Sequence, residues 1–283
     1  MKCKFCYTKI EEPIFDIGNT AISNDLITED RLNSLEKTYP LVFYVCPQCL
    51  LAQTEQYKEG YEIFSDDYVY FSSCSSHWLE HARQYVESIT KRLTLDKHSF
   101  VLEIASNDGY LLTNFVEKNI KCLGVEPTGS TAQEAIKKDV PTIVDFFNLE
   151  LASKLEKEGS QADLVIANNV LAHVPDIKNF VAALKKVLKK DGTITIEFPH
   201  LLSLIEKNEF DTIYHEHFFY FSILALVKIF SKHNLSIYDL DELETHGGSL
   251  RIYATHVGNY IDKNSDKKNV DRVLNKELTY GLD

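Results

Sequence analysis

The chain of 283 residues predicts an α/β fold, a Rossmann-like and mostly parallel sheet with helices on both faces, preceded by a small cysteine-bearing module. Three observations carry this. Between residues 100 and 198, short apolar runs alternate with amphipathic stretches, as a doubly wound sheet requires. Residues 1 to about 70 lack helical periodicity and carry an early Pro13 and extended aromatic runs such as Leu41-Val42-Phe43-Tyr44-Val45. That same segment holds two Cys-x-x-Cys pairs.

Taken in order, residues 1–70 read as a separate module and residues 71–260 as the main domain. Trp78, Ala82, Tyr85 and Ile89 fall on one face of a helix over residues 75–93. Buried strands follow at residues 100–104, 121–125, 141–144, 162–167 and 193–198, with helical segments between them. A helix over residues 223–233 precedes two strand-like runs, 235–240 and 249–255, joined across Thr245-His246-Gly247-Gly248. These predict a closing antiparallel pair. Residues 261–283 are charged and predicted helical, with nothing after Gly281-Leu282-Asp283 for them to pack against.

A hydrophobic content of 44% with 16 Phe supports a sizeable core. The formal net charge of −12 works against a phosphate backbone, because nucleic-acid binding needs clustered cations to displace counterions. No nucleic-acid partner is expected. Met1-Lys2-Cys3 opens without an apolar signal segment, and the apolar runs are too short to span a bilayer. A cytoplasmic protein with no membrane partner is expected; the oligomeric state is left open.

Cys3-x-x-Cys6 and Cys46-Pro47-Gln48-Cys49 are two knuckles able to aim four thiolates at one point, a closed tetrahedral site of the kind that holds structural zinc. The alternative is a reduced or redox-active pair, although the strand-to-helix context of a redox motif is missing. Cys74 and Cys122 read as small, semi-buried hydrophobes.

The run from Val101 to Leu112 places a strand, a turn of small residues and a helix start in succession. In such sheets this first turn is the binding crevice, and an acid ending the next strand takes ribose hydroxyls. Glu103, Ala105, Ser106, Asn107, Asp108 and Gly109 are candidate cofactor contacts, with Glu126 in the ribose position. The loop has one glycine, with Asn107 and Asp108 able to take left-handed conformations, so a cofactor without a pyrophosphate is favoured. S-adenosylmethionine fits. Asp145 and Phe146 follow the third strand, where an adenine can be met, and Asn168 and Asn169 follow the fourth. Helix capping is the alternative for the acids.

His173 and His200 end the regions of the fourth and fifth strands, and Tyr214-His215-Glu216-His217 adds further polar density. If extended, this last stretch sends Tyr214 and Glu216 to one side and His215 and His217 to the other. Metal binding or hydrogen-bonded core histidines are the competing readings.

The order of the two Cys-x-x-Cys pairs, residues 103–112, Asn169-Val170-Leu171-Ala172-His173-Val174-Pro175-Asp176, Tyr214-His215-Glu216-His217 and His246-Gly247-Gly248-Ser249-Leu250-Arg251 resembles the sugar C-methyltransferases of deoxysugar biosynthesis. The resemblance covers nearly the whole chain. It implies a class I S-adenosylmethionine methyltransferase domain, an N-terminal zinc module and a further C-terminal domain, near whose start this chain stops, with residues 261–283 as its beginning. It also implies proton removal alpha to a ketone and methyl transfer to carbon of a nucleotide-linked, dTDP-type keto sugar. By motif, His217 is the base, Tyr214 and Glu216 its polar companions, and His173 and Tyr68 the groups facing the keto oxygen. His200, His246 and Arg251 are expected near the substrate, the last two toward its diphosphate. The competing functions are a noncatalytic cofactor- and zinc-binding remnant, or an oxygen or nitrogen methyltransferase for another small molecule.

Overall fold

The structure, a computed structural model, describes residues 1–24, 26–58 and 71–283. Tyr68 and the expected boundary at residue 70 lie outside the described residues. The strands are β1 (Phe15–Thr20), β2 (Tyr39–Val45), β3 (Ala52–Thr54), β4 (Phe100–Ile104), β5 (Lys121–Val125), β6 (Thr142–Ile143), β7 (Ala162–Ile166), β8 (Leu188–Pro199), β9 (Phe219–Tyr220), β10 (Leu235–Leu243) and β11 (Ser249–His256). They form a seven-stranded sheet of order β10-β11-β8-β7-β4-β5-β6 and a four-stranded sheet of order β1-β2-β3-β9.

In the larger sheet the pairs β8–β7, β7–β4, β4–β5 and β5–β6 are parallel, and β11 and β10 close it antiparallel, as the sequence predicts. Parallel strands buried on both faces need continuous apolar runs. Leu164, Val165 and Ile166 of β7 and Ile194 and Ile196 of β8 are inaccessible accordingly. The longer helices are α1 (Ser76–Leu93), α2 (Thr113–Glu117), α3 (Gly129–Lys137), α4 (Leu149–Lys157), α5 (Ile177–Val187), α6 (Leu201–Lys207), α7 (Ile223–Lys232), α8 (Tyr260–Asn264) and α9 (Lys268–Tyr280). Ser75 caps α1, its hydroxyl accepting from the Trp78 N–H, and Ala82, Tyr85, Val86 and Ile89 form its buried face. Asp176 caps α5 in the same way, ahead of the buried run Ile177, Phe180, Val181 and Leu184.

The C-terminal segment is helical as expected and packs on the main domain: Val270, Val273 and Glu277 of α9 are buried, and α9 packs against β10 and α7. One expectation needs correction. Cys74, expected to be semi-buried, is exposed, whereas Cys122 is buried as expected. The first module also shares its interior with the main domain. Phe5, Ile10 and Leu51 belong to one apolar cluster with Phe218, Phe219 and Ile229, and the module's sheet takes its last strand, β9, from the far side of the chain.

Candidate active site

The two cysteine knuckles come together. The sulfurs of Cys3, Cys6, Cys46 and Cys49 all lie within 4.8 Å of one another, with Cys3 to Cys49 at 3.6 Å and Cys6 to Cys46 at 3.4 Å. Tetrahedral Zn–S bonds of about 2.3 Å bring thiolates to about 3.8 Å from each other, so the donor set fits zinc in both chemistry and spacing. Each knuckle turns through a left-handed residue, Tyr7 and Leu50, whose N–H returns to the carbonyl of Cys3 and of Cys46. The contact between Cys3 and Cys49 lowers the first thiol and raises the second, so one proton is shared across that pair, and metal binding would take all four as thiolates.

The main cavity, about 710 Å³, opens at the C-terminal ends of β4, β5, β7 and β8, where open parallel sheets bind ligands. The loop after β4 contributes Ala105 and Asn107 to its wall, and Ala105, Asn107 and Gly109 alternate with positive φ. Asp108, expected to share the left-handed role with Asn107, does not; Ala105 does. At Gly109 a Cβ would stand 3.0 Å from that of Ala135, so the loop closes tightly on α3. The Glu126 carboxylate accepts from the N–H groups of Asn107 and Thr128, both at 2.9 Å, which fixes it at the cavity wall. Burial raises its pKa against the pull of those hydrogen bonds.

Asn168 and Asn169 also line the cavity. Asn168 Oδ1 and both polar side-chain atoms of Asn169 are buried with no partner among the described residues, which marks them as groups awaiting a ligand. Asn169 takes a left-handed φ of 52° and anchors its N–H on the Glu197 carbonyl at 2.7 Å. Phe146, Phe147 and Phe180 supply an apolar end to the same space.

Tyr214, His217 and His173 meet across the opposite wall. The expectation that Tyr214 and His217 part to opposite sides fails, because the chain turns at His215 and Glu216 instead of running extended. As a result Tyr214 Oη lies 2.7 Å from His217 Nε2. This bond and one with the Thr212 main chain hold the imidazole in place. His173 stands edge-on to His217 with ring centroids 4.6 Å apart, and its Nδ1 donates to the Glu216 carbonyl at 2.9 Å. Burial pushes His173 down to about 4, and burial together with the neighbouring His173 pushes His217 well below its ordinary value. Both imidazoles are neutral at physiological pH.

The remaining candidates are dispersed. His246 lines the cavity in a left-handed conformation, 5.2 Å edge-on from Trp78. Glu103, Ser106 and Asp108 are buried below the loop, where burial and then the nearby Glu126 and Asp108 raise Glu103 well above the carboxylate range. Asp145 is exposed and bonds the N–H of Phe146. The Glu216 side chain faces the first module, accepting from the Asn24 backbone and amide. His200 lies apart, bonded to Glu277 at 2.7 Å. Arg251, expected toward a diphosphate, is buried in an ion pair with Glu197, and His81 Nε2 touches both.

Sequence reasoning passed over Trp78, which lines the cavity and stacks on His81, and Asn24, another lining residue. The lone Trp was read only as a helix-face hydrophobe. Glu197 inside an apolar strand was the available sign of a buried charge pair.

Comparison with known proteins follows this geometry. Residues 78–240 match the family described as "Methyltransferase domain", and residues 3–64 the one described as "Putative zinc binding domain". The chain is 30% identical over 253 residues to the C-methyltransferase NovU of Streptomyces niveus, an alignment covering 89% of this chain and 60% of that protein. It thus spans about 60% of the length of that curated relative. In fold it is similar to an S-adenosylmethionine-dependent methyltransferase from Clostridium acetobutylicum, with TM-score 0.51, 12% identity and coverage of 64% of this chain and 92% of that one. It is also similar to the PH0226 protein of Pyrococcus horikoshii, with TM-score 0.51, 13% identity and coverage of 71% and 99%. With more than half of its length matched by that family and its sheet built to the same plan, the chain belongs to the methyltransferase domain family.

Proposed function

We propose that the protein is an S-adenosylmethionine-dependent C-methyltransferase acting on a nucleotide-linked deoxy keto sugar, with dTDP as the nucleotide. In this reading residues 1–70 form a zinc module, residues 71–260 the methyltransferase domain and residues 261–283 a C-terminal region. Four cysteines kept for a metal suit a reducing compartment such as the cytoplasm. The net charge of −12 argues against nucleic acid as substrate.

The observation that carries the proposal is the Tyr214–His217 hydrogen bond of 2.7 Å on the wall of the cavity that the cofactor loop also lines. The cavity suits the cofactor. Glu126 is held for ribose hydroxyls, Asn168 and Asn169 offer unpartnered polar atoms for the charged amino-acid end, and Phe146 and Phe147 suit an adenine. When bound, S-adenosylmethionine supplies an electrophilic methyl group.

The residues of this chain then handle the proton. A neutral His217 takes it from the carbon alpha to the ketone at Nε2, while the Tyr214 hydroxyl turns its hydrogen bond toward the developing enolate oxygen. His173, kept neutral with Nδ1 committed to Glu216, adds no positive charge that would oppose protonation of His217. Trp78 and Phe198 limit water at the carbanion. Glu216 acts by holding Asn24 at the rim, a positioning role. Tyr68, expected beside the keto oxygen, lies outside the described residues.

The test is calorimetric titration of zinc-replete protein with S-adenosylhomocysteine and then a dTDP keto sugar, followed by solvent-deuterium exchange into the sugar. Both ligands should bind, and His217→Gln should lower exchange by roughly 100-fold or more with cofactor affinity unchanged. Methyl transfer without exchange would point to an oxygen or nitrogen acceptor. Cofactor binding with neither sugar binding nor exchange would leave a noncatalytic protein.

A further inference from the structure

Strand β3 is three residues long and wholly buried, and it joins the cysteine module to the catalytic wall. It pairs with β2 on one side and with β9 on the other. Past the end of that second ladder, Thr54 makes two more bonds to the neighbouring chain. Its N–H donates to the Phe218 carbonyl at 3.1 Å, and its hydroxyl donates to the His217 carbonyl at 2.9 Å. Thr54 is 1% exposed, so water cannot replace either bond.

The residue before it faces the metal ligands. Gln53, fully buried, donates from Nε2 to Cys3 Sγ at 3.4 Å and to the Leu51 carbonyl at 3.1 Å, while its Oε1 accepts from the Lys4 N–H at 2.9 Å. Consecutive residues of one strand therefore hold a thiolate ligand and the main chain of His217. From the opposite side the Ala172 carbonyl accepts from the Phe218 N–H at 2.8 Å, which leaves this stretch of backbone gripped on both flanks.

We propose that Thr54 is a positioning residue for His217, setting its main chain so that the imidazole stands at the cavity and making that placement depend on an intact cysteine cluster through β3. This rests on the reading of His217 as the base. A displacement of about 1 Å at a reacting group costs on the order of 100-fold in rate. Without that hydroxyl the buried His217 carbonyl loses a donor, and the main chain gains a reason to move toward another.

The test compares Thr54→Val, which keeps the shape and removes the donor, with Thr54→Ser, which keeps the donor. Thr54→Val should lower kcat roughly 10- to 100-fold with KM, zinc content and S-adenosylhomocysteine affinity unchanged, and Thr54→Ser should restore kcat. Should the valine variant not fold, Thr54→Cys, with a weak donor of similar size, takes its place. Unchanged kcat in the valine variant overturns the inference. So does loss of zinc or cofactor affinity alongside kcat, since Thr54 would then merely support the fold. If the wild-type protein proves inactive on keto sugars, the proposed reaction fails and Thr54 is judged without substrate. The His217 ring signal in a histidine-labelled NMR spectrum, identified by its absence in His217→Gln, should move in Thr54→Val and return in Thr54→Ser. An unmoved signal overturns the inference there too.

Discussion

His200 and His217 stand near the same end of the large sheet, and the company each keeps separates a histidine tied into the fold from the one proposed as the base. His200 is 2% exposed, its Nε2 is 2.7 Å from Glu277 Oε1, and that carboxylate also accepts from the N–H groups of Ile223 and Leu224 at the start of α7. Both carboxylate oxygens are matched. A carboxylate at a helix N-terminus with a histidine across it ties the last helix to the sheet. His217 is half-buried, has a neutral hydroxyl and a second imidazole for neighbours, and borders open cavity. Among the described residues no carboxylate is bonded to it, and burial with the neighbouring His173 holds it well below its ordinary value. In the proposed reading it is the cavity and the lack of a bonded carboxylate, more than burial, that set His217 apart as the base.

Three experiments sharpen or break this contrast. The largest effect is expected for Glu277→Ala. Removing one partner of a buried, hydrogen-bonded pair costs about 3–5 kcal/mol, read as a lower urea midpoint, with cofactor affinity of the folded protein unchanged. Cofactor affinity lost without loss of stability would move Glu277 into the functional region.

Next is the acid response. The unfolded chain takes up a proton at His173 near the ordinary value of 6.5, whereas the folded protein holds that ring unprotonated down to about 4. The unfolded state thus binds more protons between those values, and stability falls as the pH drops through this window and levels off below it. The full shift corresponds to on the order of 3 kcal/mol, less in practice because the cavity admits water to the ring. His217, shifted in the same direction, adds to it. Urea titrations at neutral and acid pH should show this loss, and His173→Asn should flatten it; a flat wild-type profile would mean that the rings titrate alike in the folded and unfolded states.

The smallest stability effect belongs to Tyr214→Phe, about 1 kcal/mol for one neutral hydrogen bond. Its cost in kcat should be larger, roughly 10- to 100-fold. Equal losses in both would make the pair structural, like that of His200.

Much of the fold was legible because its causes are local. Apolar runs such as Val101–Ile104 and Ala162–Ile166 can only be buried strands, and the cysteine spacing is fixed by the chemistry of the metal site. The cofactor loop was legible as a turn, and Asn107 took its left-handed conformation, but Ala105 did so where Asp108 was expected. The rest depends on distant pairing. Arg251 read as a contact for a diphosphate because its partner Glu197 lies 54 residues away and His81 170 away. Residues 213–218 have the alternation of a strand, but hydrogen bonds from Thr54 and to Ala172 bend them into a turn. Asp145 sits where an adenine contact is expected, and nothing in its neighbours reveals that it faces solvent.

The order of the chain gives the shared sheet a consequence for synthesis. The cysteine knuckles are complete once Cys49 has been made, but β9, the last strand of the sheet that carries them, comes more than 160 residues later. By then β4 through β8 have all been translated. The four thiols can thus gather an ion early, while the strand that completes their sheet and leads directly out of the Tyr214–His217 turn joins only after the parallel sheet is available. Metal capture can therefore precede assembly of the Tyr214–His217 turn on a growing chain.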